Sequence, residues 1–211
     1  MQLPLHGLYA ITDNSIFASK RFEVIEQAMI GGVQILQYRD KNSDKEQRKT
    51  QAKALRRLCY KYKIPFIIND DLKLAQRVEA DGVHLGKDDP DIVAARAVLG
   101  DDAIIGVSCY NQLSLAQQAV EAGATYVAFG RFFPSHTKPQ AISCSVDVLR
   151  EARQTLSCPL VAIGGITPAN GAELIAAGAD FLAVVHGLFG QTDVSAAAQR
   201  YTQLFRYVDN G

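Results

Sequence analysis

Eight short apolar, β-branched runs recur along this chain: Leu8 to Ile11, Val33 to Tyr38, Phe66 to Ile68, Gly82 to Leu85, Ile104 to Val107, Tyr126 to Phe129, Leu160 to Ile163 and Phe181 to Val185. Between them, Phe22 to Met29, Gln47 to Tyr60, Ile92 to Leu99, Leu113 to Ala122, Ala172 to Ala177 and Ala196 to Phe205 carry apolar residues at three-to-four spacing, the period of a helix with one buried face. Strands that alternate with helices pair in parallel, because each helix carries the chain back to the start of the next strand. Eight such strands without a Pro/Gly/Ser-rich linker favour closure over an open doubly wound sheet. The expected fold is a single-domain α/β structure, a (β/α)8 TIM barrel over residues 1–211.

A faint internal echo fits that layout. Gly31-Gly32-Val33, Ala80-Asp81-Gly82-Val83, Ala122-Gly123-Ala124 and Ala177-Gly178-Ala179-Asp180 each close a helix and open the second, fourth, sixth or eighth strand. Glycine suits the left-handed residue that ends a helix. An open doubly wound sheet also accommodates such turns.

Composition narrows the partners. The 211 residues are 48% hydrophobic and 21% charged, enough to bury roughly 70% of the unfolded surface in one domain. Lysine plus arginine balance aspartate plus glutamate at 22 each, which removes the long-range field of a nucleic-acid or anionic-membrane binder. Basic residues must then act by local clustering, on a small anionic ligand. Cys59, Cys109, Cys144 and Cys158 show no CxxC pairing and no histidine-spaced ligand pattern. No run reaches the ~20 apolar residues of a membrane span, and the N-terminus lacks a signal-peptide pattern. A cytoplasmic protein is expected.

In a barrel every strand delivers its C-terminal end to one face, so motifs far apart in sequence meet. Gln37-Tyr38-Arg39-Asp40-Lys41 follows the second strand, and Gln37 and Arg39, two apart, share one face of it. Buried or half-buried cations need anionic partners, and a diphosphate supplies them; a solvated strand-end charge cluster is the alternative. Asn69-Asp70-Asp71 and His84-Leu85-Gly86-Lys87-Asp88-Asp89 bring carboxylates to the same rim. Such acids cap helices, or they hold a hard cation between protein and phosphate, as Mg2+ is held by one or two aspartates. Gly164-Gly165 and His186-Gly187 fall where barrels hold a monophosphate on backbone N–H groups, or are tight turns without a ligand. Thr167-Pro168 reads as the cap and first residue of a helix. Ser108 offers a hydrogen-bonding hydroxyl, and His84, His136 and His186 lie near strand ends or in the irregular segment Arg131 to Ser145, a loop expected to cover the pocket.

Together these motifs resemble the thiamine-phosphate synthase family. The match runs from Gly7-Leu8-Tyr9-Ala10-Ile11-Thr12-Asp13 through Gln37-Tyr38-Arg39-Asp40-Lys41, Asn69-Asp70, Gly82-Val83-His84-Leu85-Gly86, Gly106-Val107-Ser108 and Ser135-His136-Thr137-Lys138 to Ile163-Gly164-Gly165-Ile166. The resemblance implies an aminomethylpyrimidine diphosphate held by Gln37, Arg39, Lys41, Asn69, Ser108 and Lys138, with Tyr38 and Asp40 in the same binding stretch. It implies Mg2+ on Asp70 and Asp89, and a thiazole phosphate held by Ser135, His136, Thr137, Gly165, Val185 and His186. Arg39, Lys41, Ser108 and Lys138 form the implied catalytic group. The implied reaction is loss of pyrophosphate from the pyrimidine and attack by the thiazole nitrogen, giving thiamine phosphate. Lys87 stands where the family usually has Gln, Ser135 where Thr is usual, and His186 where Ser is common. Two rivals remain: a sister barrel that moves a proton on a thiazole phosphate, which has no use for a metal-bound diphosphate, and a non-catalytic phosphate-binding barrel.

Overall fold

The computed structural model describes residues 1–18, 22–86, 89, 91–134 and 143–206. Among these, β1 (Gly7–Ile11), β2 (Val33–Tyr38), β3 (Phe66–Asn69), β4 (Gly82–Leu85), β5 (Ile104–Tyr110), β6 (Tyr126–Phe129), β7 (Leu160–Ile163) and β8 (Phe181–Val184) pair in parallel and in sequence order. The last strand returns to the first, with Leu8 opposite Leu182, so the sheet is a closed barrel as expected. Around it lie α1 (Asn14–Ala18), α2 (Glu23–Ile30), α3 (Lys45–Tyr62), α4 (Leu72–Val78), α5 (Ile92–Leu99), α6 (Leu113–Glu121), α7 (Val146–Thr155), α8 (Gly171–Ala176), α9 (His186–Phe189) and α10 (Val194–Phe205).

Side-chain alternation divides the apolar residues into two cores. Leu8, Ala10, Leu36 and Tyr38 point outward and pack on the helices. Tyr9, Ile11, Ile35, Ile67, Ile104, Tyr126, Val161 and Phe181 fill the barrel interior. Because both faces are covered, the strands read as unbroken apolar runs rather than alternating ones. Four helices start on aspartate caps: Asp44, Asp71, Asp91 and Asp193 accept from the N–H groups of Gln47, Leu74, Ala94 and Ala196.

At the opposite rim from the strand C-termini the two halves of the barrel repeat one construction. Asp81, ahead of β4, accepts from Arg56 of α3 (3.0 Å) and from the Phe66 N–H that opens β3 (2.8 Å). Asp180, ahead of β8, accepts from Arg153 of α7 (2.9 Å) and from the Leu160 N–H that opens β7 (2.7 Å). Each clamp ties a helix to two neighbouring strands on the face that reads as stability in this fold.

Three helix expectations change. The segment before β4 closes its helix with Glu79 in the left-handed region (φ 53°), not with glycine; Gly82 is needed instead because a Cβ there would collide with the Ile104 carbonyl. The helix expected from Thr167-Pro168 begins only at Gly171, since Thr167 donates its N–H to Asn170 Oδ1 in a preceding turn. Helices α1, α4, α7 and α9 add to the six that the apolar spacing predicts. Of the Arg131-to-Ser145 loop, the base is visible: Cys144 donates its N–H to the Arg131 carbonyl at 2.7 Å.

Candidate active site

The site is built at the C-terminal rim of the strands. Strand β2 ends at Tyr38, so Arg39 lies one residue past it rather than within it; Thr12 fixes the turn by accepting from the Arg39 N–H (2.9 Å) and donating to the Arg39 carbonyl (3.3 Å). Asn14 accepts the Lys41 N–H at 3.1 Å. The end of β1 therefore sets the course of the basic segment. Gln37 points inward and is buried.

Tyr38 departs from expectation. Its ring packs on Phe17 in the outer core and its hydroxyl donates to Gln51 of α3 (2.7 Å), because strand alternation turns it away from the interior that holds Gln37. Its side chain is structural and is not placed to bind a ligand in the barrel. Asp40 is buried and folds the loop, with Oδ1 accepting from the N–H groups of Asn42 (2.9 Å) and Ser43 (3.0 Å). Burial pushes its carboxyl up, but the Ser43 and Asn42 hydrogen bonds and the Arg48 guanidinium outweigh that and leave it below the usual range. Asp40 Oδ2 and Arg48 Nε lack hydrogen-bond partners among the described residues. Asp40 and Arg48 border a cleft of about 860 Å3 that Lys41, Asn69, Asp70 and Asp71 also line.

The acidic residues divide their labour: Asp71 and Asp91 against their neighbours Asp70 and Asp89, one and two positions earlier. Asp71 and Asp91 cap α4 and α5, and Asp71 also pairs with Arg48 at 2.9 Å. Asp70, in the left-handed region at φ 63°, and Asp89 do not cap; their carboxyl groups face each other. Lys41 Nζ lies 3.5 Å from Asp70 Oδ2, and Asp89 Oδ2 accepts the Gly86 N–H at 2.6 Å. Burial first and then the neighbouring Asp70 carboxylate raise the Asp89 carboxyl above its ordinary range, although Gly86 and Lys41 oppose the shift. Two confronted carboxylates under this mutual stress fit a hard divalent cation, which needs only one or two protein carboxylates when phosphate oxygens and water complete its shell. The donor set suits Mg2+.

Below the rim, five strands contribute to one buried hydrogen-bonded row. Gln37 Nε2 donates to Tyr9 Oη (2.8 Å), Tyr9 Oη meets Tyr126 Oη (2.7 Å), Tyr126 Oη meets His84 Nδ1 (3.0 Å), and His84 Nε2 meets Ser108 Oγ (2.8 Å). Burial pushes the Tyr9 and Tyr126 phenols far above their ordinary range, so both keep their protons. Space for the Tyr126 ring comes from Gly106: a Cβ there would overlap Cζ, Oη and Cε2 at the ring's hydroxyl edge. Neither tyrosine stands out in the sequence, since an aromatic within an apolar strand reads as core.

On the far side of the rim, Gly164 and Gly165 turn with φ 106° and 65°, and a Cβ on Gly165 would strike the carbonyls of Phe133 and Pro134. The loop base is held there by Phe133 N–H donating to the Gly164 carbonyl at 3.0 Å. Val185 borders the interior core at the end of β8, and His186 opens α9 with its side chain exposed. Ser135, His136, Thr137 and Lys138, like Lys87, lie outside the described residues. The structure thus gathers Gln37, Arg39, Lys41, Asn69, Asp70, Asp89, Ser108, Gly165 and Val185 around the mouth of one barrel.

The comparisons agree on what this barrel is. The family model described as thiamine monophosphate synthase matches residues 8–188. A thiamine-phosphate synthase of Nitrosococcus oceani is 50% identical over 206 residues, covering 97% of this chain and 95% of that one, and one of Alcanivorax borkumensis is 50% identical over 206 residues, covering 96% and 95%. Among solved structures, a thiamine phosphate pyrophosphorylase from Pyrococcus furiosus superposes with a TM-score of 0.86 at 33% identity, covering 96% of each chain. The chain belongs to the thiamine-phosphate synthase family.

Proposed function

We propose that the chain joins 4-amino-2-methyl-5-(diphosphooxymethyl)pyrimidine to 4-methyl-5-(2-phosphooxyethyl)thiazole in a Mg2+-dependent reaction that releases pyrophosphate and yields thiamine phosphate. One observation carries the residue-level reading: Asp70 and Asp89 confront each other beside Lys41 at the mouth of the barrel, an arrangement made for a diphosphate and its counter-ion. A barrel that only moves a proton on a thiazole phosphate has no use for it.

In this reading Arg39, Lys41 and Lys138 hold the diphosphate through charge-assisted hydrogen bonds, joined by Asn69. The bond from the pyrimidine methylene carbon to the diphosphate oxygen breaks, and its electron pair leaves with pyrophosphate. The thiazole nitrogen then donates its lone pair to the methylene carbon, so atoms and charge balance without a protein nucleophile. A Mg2+ ion on Asp70 and Asp89 would supply positive charge against the departing diphosphate. Gln37 and Ser108 orient the pyrimidine. The thiazole phosphate lies against Gly165, Val185 and His186, and Ser135, His136 and Thr137 complete its contacts in this reading. Holding both partners in attack geometry removes much of the entropic barrier, and covering the site keeps water from the methylene cation.

Residues 1–211 act as one catalytic domain in this proposal, in the cytoplasm. No helix among the described residues is long and apolar enough to cross a membrane, and four free cysteines suit a reducing compartment. The decisive assay measures pyrophosphate and thiamine phosphate together from the two phosphorylated halves, with Mg2+ and with chelator. Equal, Mg2+-dependent appearance of both products is expected. Binding of either substrate without coupled release would overturn the proposal.

A further inference from the structure

The row from Gln37 to Ser108 has a direction, which follows by proton counting from the Gln37 amide, whose Nε2 faces Tyr9. Tyr9 Oη accepts from Gln37 Nε2 and has one proton of its own, whose partner in the row is Tyr126 Oη. Tyr126 Oη, having accepted from Tyr9, gives its single proton to His84 Nδ1. A neutral imidazole that accepts at Nδ1 carries its proton at Nε2, which donates to Ser108 Oγ. Ser108 keeps its own O–H as a donor. With Gln37 Nε2 as the donor at the head of the row, any other order leaves two hydrogens facing each other, or a phenol proton without an acceptor, in a region where Tyr9 and Tyr126 are almost wholly buried; the reverse row requires Gln37 Oε1 to face Tyr9.

We infer that Tyr9, Tyr126 and His84 are positioning residues that act through this one-way row: they turn the Gln37 amide so that Oε1 faces away from Tyr9, hold His84 in its Nε2–H form, and leave Ser108 as a hydrogen-bond donor. The two ends then offer an acceptor at Gln37 and a donor at Ser108. That is the complement of an aminopyrimidine, which displays an amino donor and ring-nitrogen acceptors. The aromatic packing supports a fixed row, since the His84 ring stacks on Tyr126 (centroids 5.7 Å apart) and Tyr126 meets Tyr9 edge-on (5.9 Å). Gly106, which yields its Cβ space to the Tyr126 ring, is part of the same construction.

This inference rests on the proposed roles of Gln37 and Ser108, and its test separates the two. Nitrogen NMR of the full chain with labelled histidine reads the His84 tautomer directly, whether or not the protein turns over. A pyridine-type Nδ1 and a pyrrole-type Nε2 are expected; a proton on Nδ1 would overturn the direction of the row. Tyr126→Phe keeps the ring and removes the link, so the Nε2–H preference of His84 is expected to weaken. Tyr9→Phe removes the proton that Tyr126 Oη accepts, so it is expected to weaken the Nε2–H preference of His84 as well. Each variant should lower kcat/KM for the pyrimidine diphosphate about tenfold, the loss of one oriented hydrogen bond, with KM for the thiazole phosphate unchanged. Equal losses toward both substrates, or none, would show a merely structural role and overturn the inference. Failure of the unsubstituted protein to couple the two substrates would instead strike the proposed function and leave the tautomer result standing.

Discussion

Adding one methyl group at Gly106 tests the interior of the barrel most sharply. A Cβ there would approach Cζ, Oη and Cε2 of Tyr126, all closer than 3.0 Å. Carbon atoms in contact sit at about 3.5–4.0 Å, so the ring must withdraw by roughly 1.5–2 Å. It cannot do so freely: Tyr126 Oη is 2.7 Å from Tyr9 and 3.0 Å from His84, and withdrawal by that much carries both beyond hydrogen-bonding range. Overpacking costs about 1–3 kcal/mol and two buried hydrogen bonds add about 0.5–1.5 kcal/mol each, so Gly106→Ala should destabilise by about 2–6 kcal/mol. For a chain of this length each kcal/mol moves Tm by about 2–4 °C, giving a fall of roughly 4–24 °C by calorimetry. The control is a double-mutant cycle with Tyr126→Ala, which removes the ring. In that background Gly106→Ala should be nearly neutral, and a strongly negative coupling isolates the ring as the cause. If the single variant melts like the parent, or its penalty persists without the ring, the steric argument is wrong.

Three further outcomes follow from the same coordinates. Because the Asp89 carboxyl is raised in the folded protein, its ionised form weakens the fold as pH rises through that raised value, so Asp89→Asn should increase Tm near neutral pH without metal and abolish stabilisation by Mg2+; a variant still fully stabilised by Mg2+ in scanning fluorimetry refutes the ligand assignment. Asp81 has 4% of its side chain exposed and Asp180 has 29%, so urea denaturation should show Asp81→Ala losing about 3–5 kcal/mol and Asp180→Ala distinctly less; equal losses would mean that burial does not set the strength of the two clamps. Lys138→Ala should cut turnover at least about tenfold with little change in Tm, because one lost charge-assisted contact to a leaving group acts in the transition state; parallel losses of rate and stability would place Lys138 in the fold instead.

How much of this was legible in the sequence depended on whether local pattern or tertiary contact decided the role. All eight strands were readable because helices cover their outer face and the interior core their inner one, which leaves uninterrupted apolar runs such as Val33–Tyr38. Helix α4 escaped because seven residues span barely two turns, and α7 because only Leu149 and Ala152 of its ten residues are buried, too few to show a period. Tyr38 reads with its neighbours as one stretch, although strand alternation alone separates it from Gln37. The aspartates mark a different limit. Asp70 and Asp71 are adjacent and chemically identical, yet one faces Asp89 and the other caps a helix, a distinction made by the left-handed backbone of Asp70 and by the strand that brings Asp89 alongside. The buried row was hidden more deeply. His84 was visible as a histidine near a strand end, but its tautomer depends on Tyr126, 42 residues away, and through it on Tyr9, a further 117 residues back along the chain. Only closure of the barrel makes those groups neighbours, and the residue that makes room for them, Gly106, contributes by having no side chain. Site residues that touch ligand leave polar marks in a sequence; those that orient them lie among apolar neighbours and are found by following each buried proton to its acceptor.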